Sequence, residues 1–432
     1  MRDSISMELI KAFGAKTFSS LKVRNYRLYF IGQGVSQVGD WMQIVALGWL
    51  VLELTGSGIA LGTVLALRFT PIFLGGPFGG ILVERFEKRR ILIATQASFG
   101  LLALILALLV FTGAAEMWMV YLLAFLVGVV DLFDKPTRQT FVHEMVGPDN
   151  LRNAVSLNSS LNNLARALGP LFAGALIATI GLAFCFLLKA FSVVVILVML
   201  RMIRQGELHR EKREKAPTDL LAGVRYAASV PRIKIILIAM ALIGTLSYEF
   251  QVSLPLFARE AFLGGAADYA ALLSAMGAGS VAGGLFAASR QKLAVGEFVL
   301  SLLLFGVAIC LTAIMPTLGL AVAGMVFVGF FSVNLTSVGN TMIQLESAPH
   351  MRGHVMSLWM MAIFGSTLIG APIIGFVGQY LGARWSLAVG GLAALVAAAY
   401  AASRMLRGPA VPVPAQVEIR AEEIEAVESE KI

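Results

Sequence analysis

Charge is what this chain has least of. Asp, Glu, Lys and Arg make up 14% of its 432 residues, whereas 58% are hydrophobic. A soluble domain carries roughly 25% charged residues, so this composition leaves a water-exposed surface without enough polar groups. Cysteine is almost absent. Cys185 and Cys310 both lie in apolar runs, which excludes a disulfide framework and any Cys-based metal spacing. The four histidines are scattered through loops and helix ends. Gly32-x-Gly34 and the other glycine pairs sit inside apolar helices and not at strand-to-helix turns, and there is no Walker-type lysine loop. The chain is therefore expected to be no enzyme, with no catalytic residue, no cofactor and no metal, and not to be driven by ATP bound to itself.

What the chain has instead is long apolar runs. Runs of about 18 residues or more read as membrane-spanning helices. Twelve are expected, at 26–52, 59–82, 91–112, 117–134, 154–178, 182–202, 233–257, 269–289, 295–315, 319–342, 355–380 and 384–405. The fold class is thus all-α membrane protein. Residues 1–24 contain no apolar stretch suited to a cleavable signal peptide.

Lysine and arginine orient these spans. With the N-terminus inside, 29 of the 34 fall in cytoplasmic segments. Arg259 and Arg384 fall outside, and Arg68, Arg166 and Lys189 fall within spans. Such asymmetry places both termini in the cytoplasm and calls for an even number of spans. It also accounts for the net charge of +8, so topology and not nucleic-acid binding is the reading of the basic balance.

The stretch Arg204–Lys234 is the longest polar segment between spans and divides them six and six. The expected organisation is a first bundle over 1–204, a cytoplasmic linker over 205–231 with a solvated helix near 218–229, a second bundle over 232–406, and an acidic tail over 407–432 too polar to bury a core. The halves repeat each other. Ser156, Leu157, Gly169, Gly174 and Gly181 recur 201 positions later as Ser357, Leu358, Gly370, Gly375 and Gly382. Gly79, Gly80 and Lys88 recur 204 positions later as Gly283, Gly284 and Lys292. A nearly constant offset means two six-helix bundles related by an axis along the membrane normal.

Between the second and third runs stands Gly79-Gly80-Ile81-Leu82-Val83-Glu84-Arg85-Phe86-Glu87-Lys88-Arg89-Arg90. This turn resembles the loop between helices 2 and 3 of the major facilitator superfamily. Gly80, Leu82, Arg85, Lys88 and Arg89 match its pattern, while Glu84 and Glu87 replace the usual Asp and Gly. Asp134-Lys135-Pro136-Thr137-Arg138, Asn153–Asn158, Asn163–Pro170, Arg352–Leu358 and Gly39-Asp40-Trp41 narrow the resemblance. Over roughly residues 20–405 the chain is similar to the branch of enterobactin exporters, macrolide efflux proteins and transmembrane secretion effectors. The arginine that the superfamily carries in helix 4 is missing around Leu123. The resemblance implies the major facilitator fold in a prokaryotic cytoplasmic membrane. It further implies export of a small apolar or amphipathic molecule (drug, siderophore or secondary metabolite) by alternating access. Protons are the implied coupling ion, with lipids as neighbours, a monomeric state and no nucleic-acid partner. An importer or lipid transporter of the same fold, or a non-transporting receptor or scaffold, are the alternatives.

Ionisable groups at bilayer depth are costly and mark function. Asp40 shares a helix face with Gln33 and Gln37. It is either a coupling acid or a structural partner of Arg68. Arg166 either serves the cavity or satisfies Asp131. Lys189 is expected to snorkel outward, and Glu249 to face a cavity or a hydrated vestibule. Asn158, Asn162 and Asn163 share a helical spacing and either line the cavity or bond between helices. Gly80, Glu84, Arg85, Lys88 and Arg89, with Asp134 and Arg138 as partners, form a candidate cytoplasmic gate. Gly169, Pro170 and Gly174, and their repeats Gly370, Pro372 and Gly375, are hinge candidates, since proline removes a backbone donor and glycine permits close packing.

Overall fold

Twelve membrane-length helices account for the apolar runs. The computed structural model describes residues 18–209, 220–289 and 295–405. In chain order the spans are α1 (Arg24–Thr55), α2 (Gly58–Arg85), α3 (Lys88–Phe111), α4 (117–146), α5 (148–179), α6 (Ala183–Met202), α7 (Pro231–Ala261), α8 (Ala266–Ser289), α9 (Val295–Ile314), α10 (Leu318–Glu346), α11 (Arg352–Leu381) and α12 (Ala383–Met405). A short helix, Leu220–Ser229, lies where the linker was expected to be helical. The acidic tail lies outside the described residues.

One sequence expectation is corrected. The segment between spans 4 and 5 is not an open loop, because helix runs from Met117 to Thr179 with a single break at Gly147. Gly147 takes φ 67°, ψ −179°, which costs a glycine little, and Pro148 then restarts the helix at a position where its missing N–H is not needed. The charged residues of 135–146 therefore ride on a helical extension of α4.

Two spans are discontinuous. In α7 the helix stops at Leu246 and resumes at Phe250, with Glu249 at φ −83°, ψ 37° between the pieces, and it ends in a π turn over Phe257–Ala261. In α11 a π turn over Met361–Gly365 separates Arg352–Met360 from Thr367–Leu381. Such irregular turns concentrate at functional sites, and in membranes they require protein around them. Here the two face each other: a Cβ on Gly244 of α7 would overlap the Ala362 carbonyl of α11.

The halves meet through α2 against α11 and α5 against α8. Small residues permit both crossings. A Cβ on Gly174 would lie 2.8 Å from the Ala270 Cβ, and one on Gly375 would overlap the Gly58 carbonyl. Hydrogen bonds fasten the halves at the end away from the linker. Arg259 donates to the Leu52 carbonyl, and the Gly58 N–H donates to Gln379 Oε1 at 2.8 Å.

Candidate functional site

The ionisable groups deep in the bundle, among the described residues, include ion pairs and two groups without an ionic partner. The first pair joins α1 to α6. Lys189 is 1% exposed, and its Nζ lies 2.5 Å from Asp40 Oδ1 and 3.1 Å from Ser36 Oγ. Close approach is possible because residue 39 is glycine; a Cβ there would sit 2.6 Å from Ser192 Oγ. Lys189 does not snorkel outward as its depth suggested. Asp40 and Ser36 hold it inside, and that contact gains more than a lipid-facing stem would.

The second pair joins α2 to α4. Arg68 donates through Nη2 at 3.1 Å and Nε at 3.3 Å to Asp131 Oδ2, with Lys135 Nζ 3.8 Å from the same oxygen. The two pairings offered as structural alternatives, Asp40 with Arg68 and Asp131 with Arg166, are not the ones the structure makes. Similar depth was the only criterion available, and α1 lies against α6 while α2 lies against α4.

A third cluster sits at the linker end. Asp134 accepts from Thr95 Oγ1 at 2.7 Å and Gln96 Nε2 at 2.9 Å on α3, and from Arg138 one turn on. Its described donors come from α3 and from its own helix, not from Lys88 or Arg89. Lys88 instead pairs with Glu144. Arg89 caps α6, donating to the Leu200 carbonyl at 2.7 Å and the Arg201 carbonyl at 2.8 Å. The side chains of Gly80, Glu84 and Arg85 lie outside the described residues.

The orphans are Arg166 and Glu249. Arg166, on α5, makes no ion pair among the described residues, and its Nε is buried without a hydrogen-bond partner. Its guanidinium lies 5.3 Å from the Trp41 ring centroid on α1, in the neighbourhood of Tyr248 on α7. Tyr248 stacks on Phe305 at 5.5 Å and bonds Ser332 Oγ at 3.3 Å. Glu249 is 2% exposed, and neither carboxylate oxygen has a hydrogen bond of good geometry. Thr367 stands beside it, and a Cβ on Gly370 would come within 3.0 Å of Oε1. Gln33 is buried on α1, and Gln37 Oε1 is buried without a partner one turn before Trp41. Asn158 Oδ1 is likewise buried and unpartnered.

The hinge candidates occupy equivalent crossings. A Cβ on Gly169 would lie 2.5 Å from Trp41 Cβ and 2.9 Å from the Val38 carbonyl of α1. One on Gly370 would overlap the Thr245 carbonyl of α7. Pro170 and Pro372 lie within continuous helix beside them.

With this architecture in place, comparison with known proteins is decisive at the family level. The family model described as transmembrane secretion effector matches residues 15–424. The chain belongs to that family. It is a transporter of the major facilitator superfamily, a multi-pass helical membrane protein. Among curated relatives, the staphyloferrin A transporter of Staphylococcus aureus is 23% identical over 340 residues, covering 78% of this chain and 85% of its own. The enterobactin exporter EntS of Shigella boydii is 24% identical over 376 residues, covering 86% and 89%. The fold matches that of a bacterial homolog of the human lysosomal transporter Spinster, with a TM-score of 0.71 at 15% identity, covering 90% of this chain and 98% of that one. It also matches a POT family transporter crystallised with 5-aminolevulinic acid, with a TM-score of 0.71 at 12% identity, covering 87% and 95%.

Sequence reasoning singled out most of the charged groups but missed what holds them. Glu144 escaped because its segment was read as loop. Trp41 stood out only through the Gly39-Asp40-Trp41 resemblance and not as a partner of Arg166, and Tyr248 gave no signal beyond its aromatic character. Ser36, one turn before Asp40, was visible and matched in period, but serine in a membrane helix is too common to single out.

Proposed function

We propose that this family member exports a small apolar or amphipathic organic molecule by alternating access, driven by proton entry, from the cytoplasmic membrane with both termini inside. The observation that carries the proton is Glu249. An ionised carboxylate in a membrane span without a cation is costly, and Glu249 has no cationic partner and sits in the break of α7. Its neighbour across the interface is hinge residue Gly370, so a change of charge there bears directly on the α7–α11 crossing. Asp40 and Asp131, each already paired, are second-rank carriers that would have to leave Lys189 and Arg68 to take up a proton.

In this reading the outer contacts Arg259–Leu52 and Gly58–Gln379 close one side. On the other, the gate residues Gly80, Glu84, Arg85, Lys88, Arg89, Asp134 and Arg138 would hold the inner ends together when the site turns outward. Gly169, Pro170, Gly174, Gly370, Pro372 and Gly375 would let the bundles rock. Export as the direction, and siderophores among the candidate substrates, follow from what the relatives are named for.

The test is flux in proteoliposomes. Purified protein should move an amphipathic dye uphill when a pH gradient is imposed and not when it is collapsed. Glu249→Gln should retain downhill exchange and lose uphill movement. Uphill movement by Glu249→Gln at the original rate would remove Glu249 from the mechanism, and flux indifferent to the gradient would remove proton coupling.

A further inference from the structure

Of the three cations that the sequence places deep within the spans, Lys189 has Asp40 and Arg68 has Asp131. Arg166 has none. Its guanidinium is stacked on Trp41 at the place where α1, α5 and α7 converge between the two halves. A cation at bilayer depth is expensive, and the two others at that depth are paired while this one stands unmatched beside the α5–α8 crossing. The adjoining surface is aromatic: Trp41 covers one face of the guanidinium, and Tyr248 continues onto Phe305 and Phe250 at 5.5 and 6.3 Å.

We propose that Arg166 is the anion-recognition residue of the transport site and that the substrate carries a carboxylate on an aromatic or otherwise apolar body. The inference rests on the transport reading given above and names the substrate class for that site. The guanidinium offers a planar fork that matches a carboxylate bidentately, with its face already held by Trp41. A single arginine supplies one positive charge. That suits a monoanionic carboxylate better than a dianionic phosphate, for which several basic groups would be expected to converge. The apolar body would lie along Trp41 and Tyr248, and Gln37, with a free buried carbonyl oxygen, would take a donor from the substrate.

The experiment uses the full chain in nanodiscs and three probes of one shape: 2-naphthoate, 2-naphthamide and 2-naphthyl phosphate, titrated calorimetrically. A charge-assisted bidentate contact should make naphthoate bind about ten- to a hundredfold more tightly than the amide. Naphthyl phosphate should gain no more than naphthoate. Arg166→Gln should abolish the preference, bringing naphthoate affinity down to that of the amide, and Arg166→Lys should keep a reduced preference. Equal binding of naphthoate and naphthamide by the wild-type chain, no saturable binding of naphthoate, or a preference that survives Arg166→Gln would each overturn the proposal. If Arg166→Gln does not elute as a monodisperse protein, the wild-type comparison and Arg166→Lys decide the matter. Parallel flux assays separate this site from the transport reading. Carboxylate preference without any flux overturns transport and leaves the site standing. Uphill flux of an uncharged amphiphile and of naphthoate alike, both indifferent to Arg166→Gln, overturns the site and leaves transport standing.

Discussion

Asp40 and Lys189 should respond to substitution unequally, and the structure gives the sign and size. Lys189 is 1% exposed while Asp40 is 41% exposed. Asp40→Asn leaves a buried ammonium with only Ser36 for company. Removing one partner of a buried pair costs roughly 3–5 kcal/mol. Water reaches the Asp40 side and the new amide oxygen can still accept from Nζ, so the loss is discounted to about 2–3 kcal/mol. Lys189→Met is the milder change. Its chain fills the apolar stem volume, and the carboxylate left behind is solvated, which limits the cost to about 0–1 kcal/mol. The double variant should resemble Lys189→Met, giving a coupling energy of about 2 kcal/mol. Denaturation by SDS in mixed micelles, followed by circular dichroism, measures all three. A Lys189→Met loss equal to or larger than that of Asp40→Asn, or a double variant as unstable as the two losses added, would refute the argument. Flux on the double variant then isolates chemistry from folding: a folded protein that cannot pump uphill assigns Asp40 to coupling, and a fully active one makes the pair structural.

Two further expectations concern packing and topology. Gly370→Ala places a methyl on the Thr245 carbonyl and must part α7 from α11, costing about 1–3 kcal/mol and slowing flux, whereas Gly284→Ala, whose nearest neighbour would be 3.7 Å away, should be silent; equal behaviour in thermal unfolding would discard the crossing as a constraint. Reporter fusions after Thr112, Gly181 and Thr317 should report the outside and those after Lys88 and Gln205 the inside, and a reversal at any of them would break the orientation drawn from the basic residues.

The spans were legible because apolar length is a one-dimensional property, and the bilayer imposes it on every helix. The segment 135–153 was not. It falls between the runs 117–134 and 154–178, so no helix was expected there, yet the helix is interrupted only at Gly147 before Pro148 restarts it. That gap hid Glu144, the partner of Lys88. The ion pairs failed for a different reason. Sequence gives a charge its depth but not its neighbours. Asp40, Arg68, Asp131 and Arg166 all lie at depths where any pairing is conceivable, and only the adjacency of α1 with α6 and of α2 with α4 selects among them. The break in α7 had a proline, Pro255, to announce some irregularity, but the π turn in α11 has none near it.

The internal repeat, legible as glycines at a fixed offset, reaches further than the hinges. Gly181 and Gly382 keep matching backbone, at φ 102° and 99°. Gly169 presses on α1 as Gly370 presses on α7. The same offset carries Arg166 to position 367, since 367 − 166 = 201, and that position holds Thr367, the neighbour of Glu249. One half therefore places an unmatched cation, one turn before its Gly-Pro element, against Trp41 of its first helix. The other half places an uncharged hydroxyl at the equivalent point, against an unmatched acid of its first helix. Neither orphan has a partner within its own bundle, and both stand beside a glycine crossing that would flex when the bundles rock. A carrier that loads an organic anion at one and a proton at the other would change the charge at both crossings in a single cycle. Arg166→Gln and Glu249→Gln should consequently fail in distinct ways, the first in what is bound and the second in what drives it.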